Sequence, residues 1–296
     1  MNKSSAAPKR LIAQCTLTLL ASATALILAG CSNSQDSDTT AAVDNADAAA
    51  ATGEVLRIGT EGAYAPFNYT NADGTLGGFD VDIAQAICED MQVTCEISAQ
   101  DWDGIIPGLK AGKYDAIVAA MSVTPERAQQ VRFTDAYFSN TLVFLAAEDS
   151  AFDPSNSRDI NNNPIAAQRS TISSQWLEDT YPAVNMKLYD TLSNAFLDLG
   201  SGRVEVMVSD KLPALQWLNS PSGNGYALKG AEIDINDNFA IAVRPADKDL
   251  QAKINQSLAH LKANGTYDKL HQQYFSVAAS STNAEMTAPV EAVSTQ

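Results

Sequence analysis

Ser122 and Arg127 place a hydroxyl and a guanidinium on either side of Val123-Thr124-Pro125-Glu126, where the chain turns into a helix. Thr124 reads as the N-cap and Pro125 as the first helical residue, a favoured pairing that puts Arg127 at the third position. The apolar run from Tyr114 to Ala119 reads as a buried strand ending just upstream. Backbone N–H groups, a hydroxyl and a guanidinium then converge at the carboxyl end of a strand. That is the chemistry of a receptor for a small carboxylate. On these residues alone, an ordinary strand-to-helix connection with a surface arginine is the competing reading.

The complementary group is Asp210, which ends a second apolar run, Val204 to Ser209. A carboxylate clamp facing an aspartate is what a zwitterionic amino acid needs, one site for each charge. Asp210 can equally be a helix N-cap before Lys211-Leu212-Pro213. What pairs it with Ser122 is an internal echo. Leu109 to Ala119 and Leu199 to Ser209, 90 residues apart, both run from helix end through glycine, basic residue and acidic residue into a buried strand. An echo at that distance is too long for a solenoid repeat and suits two similar lobes. Ligands in open α/β sheets bind beyond the carboxyl ends of the strands, where both candidates lie.

The surrounding elements follow the α/β pattern of a largely parallel sheet. Val55 to Gly59 is a first strand. Phe79, Ile83, Ile87 and Met91 fall on one helix face, and Val93, Cys95 and Ile97 alternate as a strand. Further on, Phe239 to Val243 reads as a strand, and Leu250, Ile254, Leu258 and Leu261 as a helix face with Asp247 able to cap it. Gly265 stops that helix, and Tyr267, Leu270 and Tyr274 carry another.

The ends place the chain in the cell. Lys3, Lys9 and Arg10 precede an 18-residue apolar run, Leu11 to Leu28, which is a secretory signal or, in competition, a membrane span. The run closes on Leu28-Ala29-Gly30-Cys31, which resembles the bacterial lipoprotein lipobox. That resemblance implies cleavage before Cys31, lipid on its sulfur and new amino terminus, and stable anchoring by several acyl chains. Residues 32–53 and 278–296 are Ala-, Ser-, Thr- and Asp-rich with few bulky apolar residues, the first a flexible tether and the second a disordered tail. Cleavage removes three positive charges and takes the formal net charge from −16 to −19. So acidic a chain is not expected to bind nucleic acid, while a cationic ligand is helped by its field. Cys88 and Cys95 remain as the cysteine pair, and an exported setting favours a disulfide between them. No metal or cofactor is expected: only His260 and His271 exist, both read as surface residues on C-terminal helices.

The combination of Tyr64-Ala65-Pro66-Phe67, Gly78-Phe79-Asp80-Val81-Asp82, Ser122 to Arg127 and Gly265-Thr266-Tyr267 resembles the periplasmic solute-binding proteins of ABC amino-acid importers, family 3. Within it the lysine/arginine/ornithine- and histidine-binding branch is the more similar, and its disulfide matches Cys88 and Cys95. The resemblance covers Val55 to Phe275. It implies the two-lobed periplasmic-binding-protein fold of type II, each lobe a mostly parallel sheet flanked by helices, joined by two hinge strands. Lobe 1 is expected at 54–141 plus 238–277 and lobe 2 at 142–237. It further implies a non-enzymatic, monomeric binding protein working with ABC permease subunits.

By the same resemblance the ligand's α-carboxylate is held by Arg127, by Ser122 and Ala120, and by the Thr171 N–H, while Asp210 takes the α-ammonium. Tyr64 and Trp102 match the positions that sandwich the ligand side chain, which suits a planar guanidinium. Glu61 would meet a distal positive charge, a solvated loop acid being the alternative. Asp101 and Asp103, flanking Trp102, are read as capping residues. Two positions depart from the pattern: Ala119 and Ala120 stand where relatives carry serines, and Arg169 replaces a usual glycine. The implied ligand is a basic L-amino acid, with arginine preferred over lysine, ornithine or histidine. A sensor for a membrane receptor and a cyclohexadienyl-dehydratase-like enzyme are the alternatives on the same fold.

Overall fold

The computed structural model describes residues 53–282, and the side-chain surroundings as far as Ser276. Cys31, the signal and most of the tether lie outside the described residues. The chain opens with β1 (Val55–Thr60), β2 (Ala63–Tyr64), β3 (Asn68–Thr70), β4 (Leu76–Gly77), α1 (Phe79–Asp90) and β5 (Thr94–Ala99). It goes on through α2 (Trp102–Lys110), β6 (Ala116–Ile117) and α3 (Pro125–Ala128) into a long strand, β7 (Arg132–Ala147). A second set comes next: α4 (Ser157–Asn162), β8 (Ile165–Gln168), α5 (Ile172–Thr180), β9 (Met186–Tyr189), α6 (Leu192–Gly200), β10 (Val206–Asp210) and α7 (Lys211–Leu218). The chain returns through β11 (Tyr226–Val243) to α8 (Lys248–Ala263) and α9 (Thr266–Thr282).

The main sheet has the order β5-β1-β6-β11-β7-β10-β8-β9. Its outer thirds are parallel, β5-β1-β6 on one side and β10-β8-β9 on the other. Between them β7 and β11 run antiparallel and pass through both halves, so backbone pairing is continuous across the molecule. Their register shifts at four places between Lys229 and Ala242, as it must where two long strands bend together.

Helices cover both faces, which is why the strands read as near-continuous apolar runs. The two-residue period sorts each strand between cores. On β7, Val143 and Leu145 face one buried cluster while Leu142, Phe144 and Ala146 face another. On β6 and its extension, Ala116 and Val118 join the first cluster, and Ile117 and Ala119 a third. The echo is realised in detail: α2 and α6 end just before Gly112 and Gly202, both at positive φ (75° and 70°), where a side chain would be strained.

Four expectations need correction. The run Tyr114 to Ala119 forms only the two-residue strand β6, because the chain there leaves the ladder to turn into the site. The helix opened by Thr124 and Pro125 is a single turn, too short for a substantial dipole. His271 is half-buried among Phe79, Phe138 and Phe275, and burial lowers its pKa; His260 alone of the two is a surface residue. Helix α9 continues to Thr282, past the expected start of the tail at 278. The Cys88–Cys95 disulfide is formed and pins the end of α1 to β5. Among the described residues no helix is long and apolar enough to cross a membrane.

Candidate functional site

The carboxyl ends of β1, β6, β8 and β10 open towards one place, and the residues just beyond them line a single small cavity. Glu61 and Tyr64 follow β1, and Ala119, Ala120, Ser122 and Arg127 follow β6. Gln168 ends β8 with Thr171 and Ile172 just beyond it, Asp210 ends β10, and Trp102 opens α2. The structure thus brings together all eight residues singled out in the sequence: Glu61, Tyr64, Trp102, Ala120, Ser122, Arg127, Thr171 and Asp210. Between them the walls leave about 10 Å³, room for one water-sized group. Size does not locate the chemistry here. A groove of about 620 Å³ runs along β7 and β11 between α7 and α9 without such a convergence.

At one end of the cavity the half-buried Arg127 spans the two halves. Its Nη1 donates to the Ser122 carbonyl at 2.8 Å and its Nη2 to the Ser170 carbonyl at 2.9 Å. The guanidinium lies 5.2 Å from the Trp102 ring centre, and Trp102 Nε1 donates to the same Ser170 carbonyl at 3.1 Å. Burial lowers the Arg127 pKa, opposed first by the charge of Asp237 and then by that of Asp210. Ala120 and Ser170 sit at positive φ, 45° and 60°, conformations that side chains adopt only under constraint. Each is held by its contacts, the Ala120 N–H by the Tyr137 hydroxyl and the Ser170 carbonyl by the two donors from the other half. Tyr137 is anchored in turn on the buried carboxylate of Asp80.

Asp210 occupies the N-cap position of α7, yet its side chain makes no cap hydrogen bond. It accepts instead from the Tyr64 hydroxyl and, at 3.4 Å, from Ser173 Oγ. Burial lifts its pKa to about 6 against those hydrogen bonds, with Asp237 adding to the rise. At the far end Glu61 accepts from Gln168 Nε2 at 2.7 Å, and burial lifts its pKa to about 7. Gln168 Oε1 is buried with no hydrogen-bond partner.

Three groups differ from their expected roles in this arrangement. The Thr171 N–H is engaged with Ser174 Oγ at 3.2 Å in a capping box that starts α5, so a carboxylate must share it. The Trp102 face carries Arg127, so only part of a Tyr64–Trp102 sandwich is open to another cation. Asp101 holds the N-cap position of α2 without a side-chain cap bond, and Asp103 lies 3.6 Å from Arg169, which also pairs with Asp190 at 2.6 Å. Arg169 therefore sits on the rim, linking a loop of one half to a helix of the other.

Sequence reasoning missed Gln168, Asn140 and Asp237. Gln168 had a readable signal, a polar residue closing the buried run Ile165-Ala166-Ala167. Asn140 and Asp237 had none, because they meet only when strands 97 residues apart pair. Around the cavity the fold gathers three buried carboxylates, Glu61, Asp210 and Asp237, against one guanidinium. Among the described residues no His, Cys, Asp and Glu cluster is arranged to hold a metal ion.

Residues 56–277 match the bacterial extracellular solute-binding proteins, family 3. The chain is 35% identical over 228 residues to ABC transporter arginine-binding protein 1 of Escherichia coli (strain K12), covering 76% of this chain and 93% of that one. It is 31% identical over 233 residues to the lysine/arginine/ornithine-binding periplasmic protein of the same organism, covering 76% and 89%. An ancestral arginine-binding protein solved with arginine bound superposes with a TM-score of 0.71 at 34% identity, covering 75% of this chain and 98% of that one.

Proposed function

We propose that this chain, which belongs to the bacterial extracellular solute-binding proteins of family 3, captures a basic L-amino acid, arginine by preference, for an ABC import permease. The observation that carries the reading is the charge balance of the cavity. Two buried carboxylates, Glu61 and Asp210, line it with one guanidinium, and a third, Asp237, lies behind Ser122, so the site is short of positive charge, and unpaired buried charge is costly. A neutral amino acid brings no net charge; arginine, lysine or ornithine brings one positive charge. The relatives named for arginine and for lysine, arginine and ornithine support the same class.

In this reading the α-carboxylate meets Arg127, with Ser122, Ala120 and the Thr171 N–H around it. The α-ammonium meets Asp210, which Tyr64 and Ser173 orient. The side chain runs along Tyr64 and the free part of Trp102 to Glu61 and Gln168. The unpartnered Gln168 Oε1 is an acceptor suited to a guanidinium N–H, and Glu61 supplies the counter-charge.

A cavity of about 10 Å³ admits an amino acid only if its walls part. The strands β7 and β11 are the connections that must bend, and ligand that bridges the halves shifts the population to the closed form. A lipid on Cys31 would hold the protein at the membrane, with residues 32–53 as its tether. Calorimetric titration with the twenty amino acids and ornithine tests the reading: arginine is expected to bind tightest, with lysine and ornithine next. A neutral or acidic amino acid binding tighter than all three would overturn it.

A further inference from the structure

Behind Ser122 stands a pair that does not line the cavity and belongs to the wall of the larger groove along β7 and β11. Asp237 on β11 and Asn140 on β7 are register partners on the two crossing strands, 6% and 5% exposed. Asn140 Nδ2 donates to Asp237 Oδ2 at 2.9 Å, and the same oxygen accepts from Ser122 Oγ at 3.1 Å. The Ser122 segment is itself strapped to β11. The Val123 N–H donates to the Asn238 carbonyl and the Ala240 N–H to the Met121 carbonyl, both at 3.0 Å. The Ser122 carbonyl in turn takes Arg127 Nη1. Guanidinium, hydroxyl and crossing strand are therefore one connected set. The Asn140 amide also faces Asp210 and steadies its charge.

The chemistry of this set is specific. A serine hydroxyl has one proton, and here it is committed to Asp237, so Ser122 Oγ turns its lone pairs to the cavity and its backbone is fixed in place. Asp237 is also the leading negative charge acting on Arg127, whose guanidinium is otherwise costly to bury. Loss of that charge would both free the hydroxyl and leave Arg127 under-supported.

We propose that Asp237 and Asn140 are a positioning pair: Asp237 sets Ser122 and Arg127 for the ligand's α-carboxylate, while Asn140 ties that set to Asp210. The inference rests on the amino-acid reading above. Neither residue needs to touch the ligand, and the pair places the link between the two half-sites on the strands that bend when the halves move.

The test compares arginine with agmatine, which keeps the side chain and amine and lacks the carboxylate, on the wild type and on Asp237→Asn. Arginine affinity is expected to fall about 10-fold or more, the value of a hydrogen bond to a charged group, while agmatine affinity changes less than about threefold. Equal losses for the two ligands would mark a merely structural role and overturn the proposal, as would wild-type affinity for arginine. Ser122→Ala added to Asp237→Asn should cost little more than Asp237→Asn alone, and additive losses would count against the pair acting as a unit. If Asp237→Asn does not fold, Asp237→Glu, which moves the charge by one methylene, must show the same arginine-selective loss for the proposal to stand. A wild type that binds no amino acid overturns both this and the reading beneath it; unaltered binding in the variants overturns the pair alone.

Discussion

The two ends of the cavity are built on opposite plans. Around Arg127, Ser122 and Asp210 nearly every polar group is already tied to the fold, through Ser170, Asp237, Tyr64 and Ser173. Around Glu61 and Gln168 a carboxyl held near neutrality meets an amide whose oxygen has no partner. The first end is pre-organised, and in the proposed function it serves groups that all amino acids share. The second leaves charge and hydrogen bonding incomplete, and the proposed function assigns selectivity to it. Rigidity and incompleteness are divided along the length of one small cavity.

The comparison breaks most readily at Arg127. Arg127→Ala should weaken arginine, lysine and glutamine alike, by about 100-fold or more, because a buried carboxylate would lose its charged partner. Calorimetry with the three ligands checks this, and a loss confined to the basic ones would exchange the roles of the two ends. Glu61→Gln should act in the opposite sense. A loss of about 10- to 100-fold is expected for arginine and lysine, with little change for glutamine.

The pH response sharpens the contrast, since Glu61 at about 7 and Asp210 at about 6 lie above the ordinary 4.5 and 3.8. Carboxyls raised in the fold bind protons more tightly there than in the unfolded chain. Their burial therefore weighs fully on stability above pH 7 and is relieved as the pH falls towards 5. The unfolding temperature of the ligand-free protein, as far as these groups set it, should rise from pH 8 to pH 5. A cationic ligand needs the same groups ionised, so arginine affinity should fall about tenfold between pH 8 and pH 6. Titrations across that window with flat affinity would separate Glu61 from the ligand's charge.

The smallest effect belongs to the rim. Arg169 is exposed and pairs with Asp190 and Asp103, themselves exposed. Arg169→Ala should speed arginine release by no more than a few-fold, within the range of a surface ion pair, and less at high salt. Stopped-flow release at two ionic strengths measures it.

Much of this was legible before the fold. The strand and helix periods, the echoed glycine stops at Gly112 and Gly202 and the N-cap at Thr124 come from local chemistry, and they placed Ser122 and Asp210 at strand ends. The limits were also local. The helix that Thr124 and Pro125 open proved to be one turn, because only three residues separate Ala128 from β7. His271 read as a surface residue, yet an aromatic cluster assembled from three separate stretches of chain closes over it.

By itself the sequence determined the α/β class, the cysteine pair that could bridge, and a hydroxyl, a guanidinium and an aspartate gathered at strand ends. Those depend on residue type and on spacing of a few positions, where backbone periodicity is the governing physics. Only the tertiary structure decided how those groups are partnered. It gave Ser122's proton to Asp237, Tyr64's to Asp210 and Gln168's amide to Glu61, contacts spanning 107 to 146 residues. Such pairings are set by strand register and helix packing across the whole sheet, and no local pattern carries them.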